Sequence, residues 1–194
     1  MCGRYYMDDS VLPVISGMVR QAHRTGLQNW PVKDICPADT APVLTGEEEG
    51  LGVSLQHWGY PGFKKGQTIF NARAESVLEK RMFRNGILHH RTVIPCTRFY
   101  EWNGNREKVE FYRSDSPVVF MAGFSDSYPD GSHYIILTTK ANASMTGTHD
   151  RMPLILEEQE VRDWILNEEK TGTILKKVPA LIQKRMEYEQ ETLF

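Results

Sequence analysis

The 194-residue chain is predicted to be α+β: a single domain, residues 2–194, with a curled, mostly antiparallel β-sheet or barrel-like core and helices at its periphery. Three features predict this. Short β-rich runs follow one another through the middle of the chain, split by Gly, Pro, Asp and Ser. No helix lies between them, and parallel neighbours need a long crossover that antiparallel ones do not. Helical periodicity is strongest towards the two ends, the order expected of strands and helices segregated in one domain.

In chain order, "MDDSVLPVISGMVRQAH" (7–23) reads as a helix capped by Asp8, Asp9 or Ser10, with Pro13 tolerated in its first turn. "ICPADTAPVLTG" (35–46) mixes β-formers with prolines and is expected to be extended and irregular. "LGVSLQHWGY" (51–60) alternates apolar and polar side chains, the period of a half-buried strand. "ESVLEKRMFRNGILHHR" (75–91) carries Val77, Leu78, Met82 and Phe83 at helical spacing, and Gly86 is expected to end or interrupt that helix. Strands are expected in 91–102, 108–114, 117–128 and 132–139. "EEQEVRDWILNEE" (157–169) is an amphipathic helix with Val161, Trp164 and Ile165 on one face. Residues 171–190 are expected to be helical in part, broken near Pro179.

With 40% hydrophobic and 25% charged residues, the composition supports one real core. No apolar run approaches the roughly 18 residues that span a bilayer, and no basic-then-apolar leader opens the chain. A cytoplasmic monomer away from membranes is expected. Cys2, Cys36 and Cys96 are too few and too scattered for a disulfide framework or a CxxC metal pair, and His89 and His90 are adjacent and so point apart; no metal or cofactor is assigned. The net charge of −2 excludes a wholesale polycation. Between Arg73 and Arg98, however, six Lys and Arg face only Glu75 and Glu79. That segment is either a solvated helix face or a local patch for phosphates.

Four strings hold polar residues in apolar or turn-like settings: "MCGR" (1–4), "FNARAE" (70–75), "FYEW" (99–102) and "THDRMP" (148–153). Cys2 reads in two ways. It is a small apolar residue near a chain end, or, once Met1 is trimmed, a free α-amine and thiol on adjacent carbons. Both groups titrate near pH 8, so a useful fraction of each is unprotonated at neutral pH. An amine of this kind forms a Schiff base with an aldehyde, and the thiol then closes a five-membered thiazolidine, an intramolecular step with a large effective molarity. Glu101 is either an exposed strand residue or a carboxyl packed among aromatics, with its pKa raised and fit for acid–base work. His149 lies in a loop, where surface and functional histidines both occur. Asn71 and Arg73, two apart on an extended segment, share a face; a helix cap at Asn71 is the alternative.

"MCGR" at the extreme N-terminus, "NARAE", "PCTRFYEW" (95–102) and "HDRMP" (149–153), in this order and with "HWGYPG" (57–62), resemble the SRAP family, the SOS-response-associated peptidases or abasic-site processing proteins. The likeness runs from residue 2 to about 156. It implies that Cys2 bonds covalently to the C1′ aldehyde of an abasic site in single-stranded DNA; a weaker lyase activity is expected on chemical grounds, because a Schiff base at C1′ acidifies the C2′ protons. It also implies proton shuttling by Glu101, action on the opened sugar by His149, and placement of Cys2 by Asn71. Arg4, Arg73, Arg81 and Arg151 resemble positions that grip phosphates, and Trp102 and Pro37 positions that wedge against bases, as suits a junction between single- and double-stranded DNA. Two stretches depart from the pattern. "FKKG" (63–66) stands where many relatives carry tryptophans, and the tail over 170–194 is atypical. A self-processing thiol peptidase using Cys2 and a non-covalent single-strand binder remain the competing readings.

Overall fold

The structure, a computed structural model, describes residues 2–19, 32–48, 50–64 and 66–186. Its centre is a closed ring of five strands. β3 (Thr40–Glu47), β4 (Gly50–Trp58), β8 (Arg91–Cys96), β11 (Val119–Tyr128) and β12 (Gly131–Lys140) pair in the order β12–β4–β3–β8–β11, and β11 returns to β12. All these pairings are antiparallel except β12 with β4. Closure removes the exposed edges that an open sheet would leave. Short strands β13 (Arg151–Pro153) and β14 (Ile155–Leu156) extend the ring, and β7 (Asn71–Arg73) lies parallel to β12. A second sheet runs β15–β10–β9–β1–β2, from β15 (Gln183–Met186), β10 (Lys108–Tyr112), β9 (Arg98–Trp102), β1 (Tyr5–Met7) and β2 (Lys33–Ile35). β5 (Tyr60–Pro61) and β6 (Thr68–Ile69) form a small hairpin.

Strand alternation divides the interior in two. On β8, Val93 joins a core with the helices while Ile94 joins a core with the second sheet; Ile135 and Ile136 of β12 divide in the same way. The second core holds Cys2, Tyr5, Phe99 and Phe111, the last two rings stacked at 5.2 Å. The helices are α1 (Leu12–Met18), α2 (Arg81–His89), α3 (Glu158–Leu166) and α4 (Glu168–Leu175). α3 buries Val161, Trp164 and Ile165 as its period dictates, and the Trp164 indole donates to the carbonyls of Thr92 and Gly123, at 2.9 and 3.1 Å.

Several local expectations are corrected. Asp8 caps a 3₁₀ turn (Asp9–Val11), accepting from the Ser10 amide at 3.0 Å, and Pro13 sits in the first turn of α1; this helix ends at Met18, and expected residues 20–23 lie outside the described ones. The segment 35–46 is more regular than its prolines suggest. β3 runs eight residues through Pro42, and β8 pairs with it only at Leu44↔Val93, so Pro42 lacks no ladder bond on that side. The partial helix expected over 171–190 is the end of α4, which stops at Leu175 before Pro179, and the tail then adds a strand, β15, that was not expected. Gly86 does not end its helix. The break falls at Lys80, whose extended backbone (φ −85°, ψ 111°) separates a 3₁₀ stretch over Ala74–Glu79 from α2. Gly86 is instead a point of close approach: a Cβ there would lie 2.6 Å from both Phe124 Cδ2 and the Ser125 carbonyl. Replacing Gly86 by Ala is therefore expected to destabilise the fold by about 1–3 kcal/mol, the usual cost of overpacking, despite alanine's better helix propensity. Urea denaturation would show it as a lower midpoint with an unchanged slope.

Candidate functional site at the start of the chain

The chain's first strand places Cys2. Tyr5 pairs with Phe99 and Tyr6 with Arg98, and the Tyr100 amide donates to the Arg4 carbonyl at 3.0 Å. Continuing that register brings Gly3 level with Glu101, so Cys2 comes to lie beside the end of β9. Its side chain is buried in the core below the second sheet, with Sγ 3.8 Å from the Arg4 carbonyl. Burial, and after it the Glu101 carboxylate, push the Cys2 thiol far above its ordinary pKa. The thiol is thus held neutral.

Asn71 reaches the same spot from β7. Its Nδ2 donates to the Cys2 carbonyl at 2.8 Å, while its Oδ1 is buried and accepts no hydrogen bond among the described residues. The start of β7 is itself anchored, because Trp58 Nε1 donates to the Phe70 carbonyl at 3.0 Å. Gly59, at φ 107°, makes the turn after Trp58, and its amide donates to the Tyr134 carbonyl at 2.8 Å. These contacts give "HWGYPG" a structural reason.

Glu101 is 3% exposed and faces inwards, opposite to Trp102 at 39%. Burial raises its pKa, opposed by the positive charge of the amino terminus and by His149. A buried carboxyl whose pKa is raised is suited both to give and to take a proton. His149 follows a 3₁₀ turn at Ala143–Met145. Its Nδ1 lies 2.9 Å from the Arg151 amide and 2.8 Å from Asp150 Oδ1, two contacts that fix the orientation of the ring. The C-terminal segment holds this loop: Asn142 Nδ2 donates to the carbonyls of Pro179 and Ala180, Ser144 Oγ accepts from the Ile182 amide at 2.9 Å, and Lys184 Nζ donates to the Thr146 carbonyl. Cys2, Asn71, Glu101 and His149, distant in sequence, therefore converge.

The other candidates are placed differently. Arg4 lies 5.5 Å over the Trp102 ring and 3.9 Å from Asp34. Pro37 is half-buried in the turn from β2 to β3, beside Ala38 at φ 78°. Arg73 is exposed two residues beyond Asn71. Arg81 opens α2 and, with Phe63, Lys80 and Phe83, lines a surface cavity of about 790 Å³. Arg151 is already engaged, forked onto Glu75 at 2.7 and 2.9 Å and bonded to the Thr138 carbonyl; the Glu75 carboxyl is held below its ordinary pKa by that guanidinium. Arg91, counted in the basic stretch, is buried, donating to the carbonyls of Ile87, Leu88, Trp164 and Ile165. The sequence reading did not single out Phe63, 86% exposed within "FKKG", nor Glu75 as the partner of Arg151. The aromatic beside lysines was a legible signal for Phe63; the Glu75 pairing depends on β7 meeting β13 across β12 and was not legible. Among the described residues no cluster of three or more His, Cys, Asp or Glu is placed to hold a metal, and no helix is long and apolar enough to cross a membrane.

A barrel flanked by a second sheet, with a buried cysteine one residue from the chain's start set against an amide, a carboxyl and an imidazole, defines a distinctive class of protein. The chain belongs to the SRAP family (SOS response associated peptidase), whose model it matches over residues 1–190. It is 29% identical over 143 residues to the abasic site processing protein YedK of Escherichia coli K12, a match covering 70% of this chain and 64% of that protein. Against the abasic site processing protein YoqW of Bacillus subtilis 168 it is 28% identical over 179 residues, covering 85% and 80%. Among solved structures, a Bacteroides thetaiotaomicron protein aligns with TM-score 0.78 at 21% identity, over 95% of this chain and 91% of that one. A phage-related protein of Bordetella bronchiseptica aligns with TM-score 0.76 at 18% identity, over 95% and 93%. At such identities these structures establish the fold.

Proposed function

We propose that this protein processes abasic sites by trapping them covalently through Cys2, in single-stranded DNA and at its junctions with duplex. The observation that carries the reading is the Asn71 Nδ2 bond to the Cys2 carbonyl beside the buried Glu101 carboxyl, whose pKa burial raises. Main-chain anchoring of that first residue is what a terminal amine needs if it is to meet a substrate at a fixed angle. The relatives named as abasic site processing proteins support the substrate class.

Removal of Met1 frees the Cys2 amine. The amine attacks the C1′ aldehyde of the ring-opened deoxyribose to give a carbinolamine. Glu101, as the acid, protonates the departing hydroxyl, and water leaves a protonated Schiff base. That new positive charge lies within two bonds of Cβ and favours ionisation of a thiol that the resting site keeps neutral. The thiol proton passes to the Glu101 carboxylate as Sγ bonds to C1′, and the imine electron pair returns to nitrogen. The product is a thiazolidine, and the sum is aldehyde plus aminothiol giving ring plus water. His149 acts on the opened sugar, as a proton donor or by orienting it. Asn71 Oδ1 offers an acceptor to the amine or to a sugar hydroxyl. Arg4, Arg73 and Arg81 lie along the strand's path, and Trp102 and Pro37 wedge against the flanking bases. Arg151 acts by holding Glu75 and β12 unless DNA displaces that pair.

The test is a denaturing gel. Protein lacking Met1, mixed with a single-stranded oligonucleotide bearing one abasic site, is expected to give a band that survives heat and detergent. A complex that separates fully in detergent would favour non-covalent binding instead.

A further inference from the structure

The interior of the barrel changes character along its length. Towards Cys2 the inward side chains are apolar, among them Val43, Trp58, Ile94 and Tyr134. Two residues along each strand, the same face becomes polar: Thr45 follows Val43, Gln56 precedes Trp58, Thr92 precedes Ile94 and Ser132 precedes Tyr134. These four, with Ser54 and Ser125, line a cavity of about 240 Å³ at the barrel's other mouth. On β12, Ser132 lies four residues, about 13 Å of strand, from Ile136, the residue level with Asn71. The cavity is therefore separate from the Cys2 site.

Two lining groups are out of place in an interior that only packs. Gln56 is 4% exposed and Thr92 1%, yet Gln56 Oε1 and Thr92 Oγ1 have no hydrogen-bond partner among the described residues. Burying a polar atom without a partner costs stability, and an apolar side chain at either position would avoid that cost. A donor entering the cavity meets both side chains at its floor.

The charges around the cavity set what it can hold. Glu47 and Asp126 bring carboxylates, and His89 and His90 lie on its rim. Arg91 lines it too, but its guanidinium is spent on the carbonyls of Ile87, Leu88, Trp164 and Ile165. Two carboxylates against this one guanidinium leave the lining negative while the imidazoles are neutral. What the lining offers a ligand is mainly acceptors and hydroxyls, which suit a cation rich in N–H donors and repel an anion. Ile165 is the one apolar side chain of the lining beyond Gly46, among the described residues, which disfavours a long methylene chain. The volume matches about eight water molecules at roughly 30 Å³ each, so the occupant is small.

We propose that this mouth of the barrel binds a small guanidinium compound. Its planar fork of N–H donors meets Gln56 and Thr92 at the floor, and its charge faces Glu47 and Asp126. The site does not rest on the proposed function: neither DNA nor any residue of the Cys2 site takes part.

Titration with methylguanidine tests it, followed by ¹H–¹⁵N correlation spectra against matched sodium chloride. Saturating shifts are expected at the amides of Gln56, Thr92 and Ser125, with a Kd on the order of 1 mM for a ligand of this size. Urea, which keeps the shape without the charge, is expected to bind at least about tenfold more weakly, and acetate not to bind. Gln56→Met and Thr92→Val keep the shapes and remove the oxygens. Each is expected to weaken methylguanidine binding about tenfold while leaving Tm unchanged or higher, a combination that misfolding would not give. No saturation by about 20 mM would overturn the proposal. Binding within about twofold of the parent in both variants would overturn the assigned floor, and equal binding of urea would overturn the choice of a cation.

Discussion

Replacing Cys2 by Ala is expected to abolish the heat-stable adduct and turn the protein into a strand-nicking agent. The variant still presents an α-amine once Met1 is removed, and Asn71 still holds the main-chain carbonyl of its first residue, so the Schiff base still forms. Without sulfur, nothing closes on the imine carbon. The imine acidifies C2′; a base takes that proton, a double bond forms, and the 3′-phosphate leaves with the electrons of the C3′–O bond. In the parent protein the thiol is expected to consume the imine first, because well-aligned ring closure within one residue can have an effective molarity on the order of 10⁵ M or more. End-labelled abasic DNA resolved on a denaturing gel is expected to show at least about tenfold less adduct for the variant, with nicked strand in its place. Borohydride, which fixes an imine as an amine, should restore the covalent band. An adduct equally resistant to heat without borohydride would show that another residue makes the bond.

Glu101→Gln separates the two properties of a buried carboxyl. Gln keeps the shape and loses the proton, so crosslinking is expected to slow by about 10²-fold or more, the usual contribution of general acid–base catalysis. The pH profile carries the mechanistic signature. The parent rate rises as the amine loses its proton and falls again as Glu101 loses its own, giving a bell. The variant retains only the rising limb. Stability moves in the opposite direction. Because the folded pKa of Glu101 is raised, the folded state keeps a proton that the unfolded chain has lost. Stability at this position therefore falls as pH rises from the ordinary carboxyl value of 4.5 towards the raised one. Gln removes that loss, so Tm of the variant relative to the parent should climb over this window and level off above it. A parent-like bell in the variant would remove Glu101 from the chemistry.

Much of the fold was legible because it rests on local alternation. Residues 51–60 and 132–139 declare their strands, and the absence of helices between the strands of 91–139 declares an antiparallel ring. What escaped depends on contacts distant in sequence. Gly86 looks like a helix stop until Phe124 and Ser125 are seen against it. Residues 183–186 have no apolar alternation of their own and become a strand only because β10 offers an edge. The candidate site shows the same division. Cys2, Asn71, Glu101 and His149 were legible as polar residues in settings that do not call for them. The basic stretch was misleading as a block, since Arg91 serves the interior while Arg73 and Arg81 face solvent. Charge on a string does not reveal which guanidinium already has a carboxylate.

The central claim is that the first residue of the processed chain, amine and thiol together, bonds to one sugar carbon. Intact-mass spectrometry under denaturing conditions tests it most directly, on protein incubated with and without an abasic oligonucleotide. The account predicts a chain lacking Met1 and an adduct whose mass is protein plus DNA less one water, with fragmentation placing the DNA on Cys2. An unshifted protein, or DNA attached to any other residue, would contradict it.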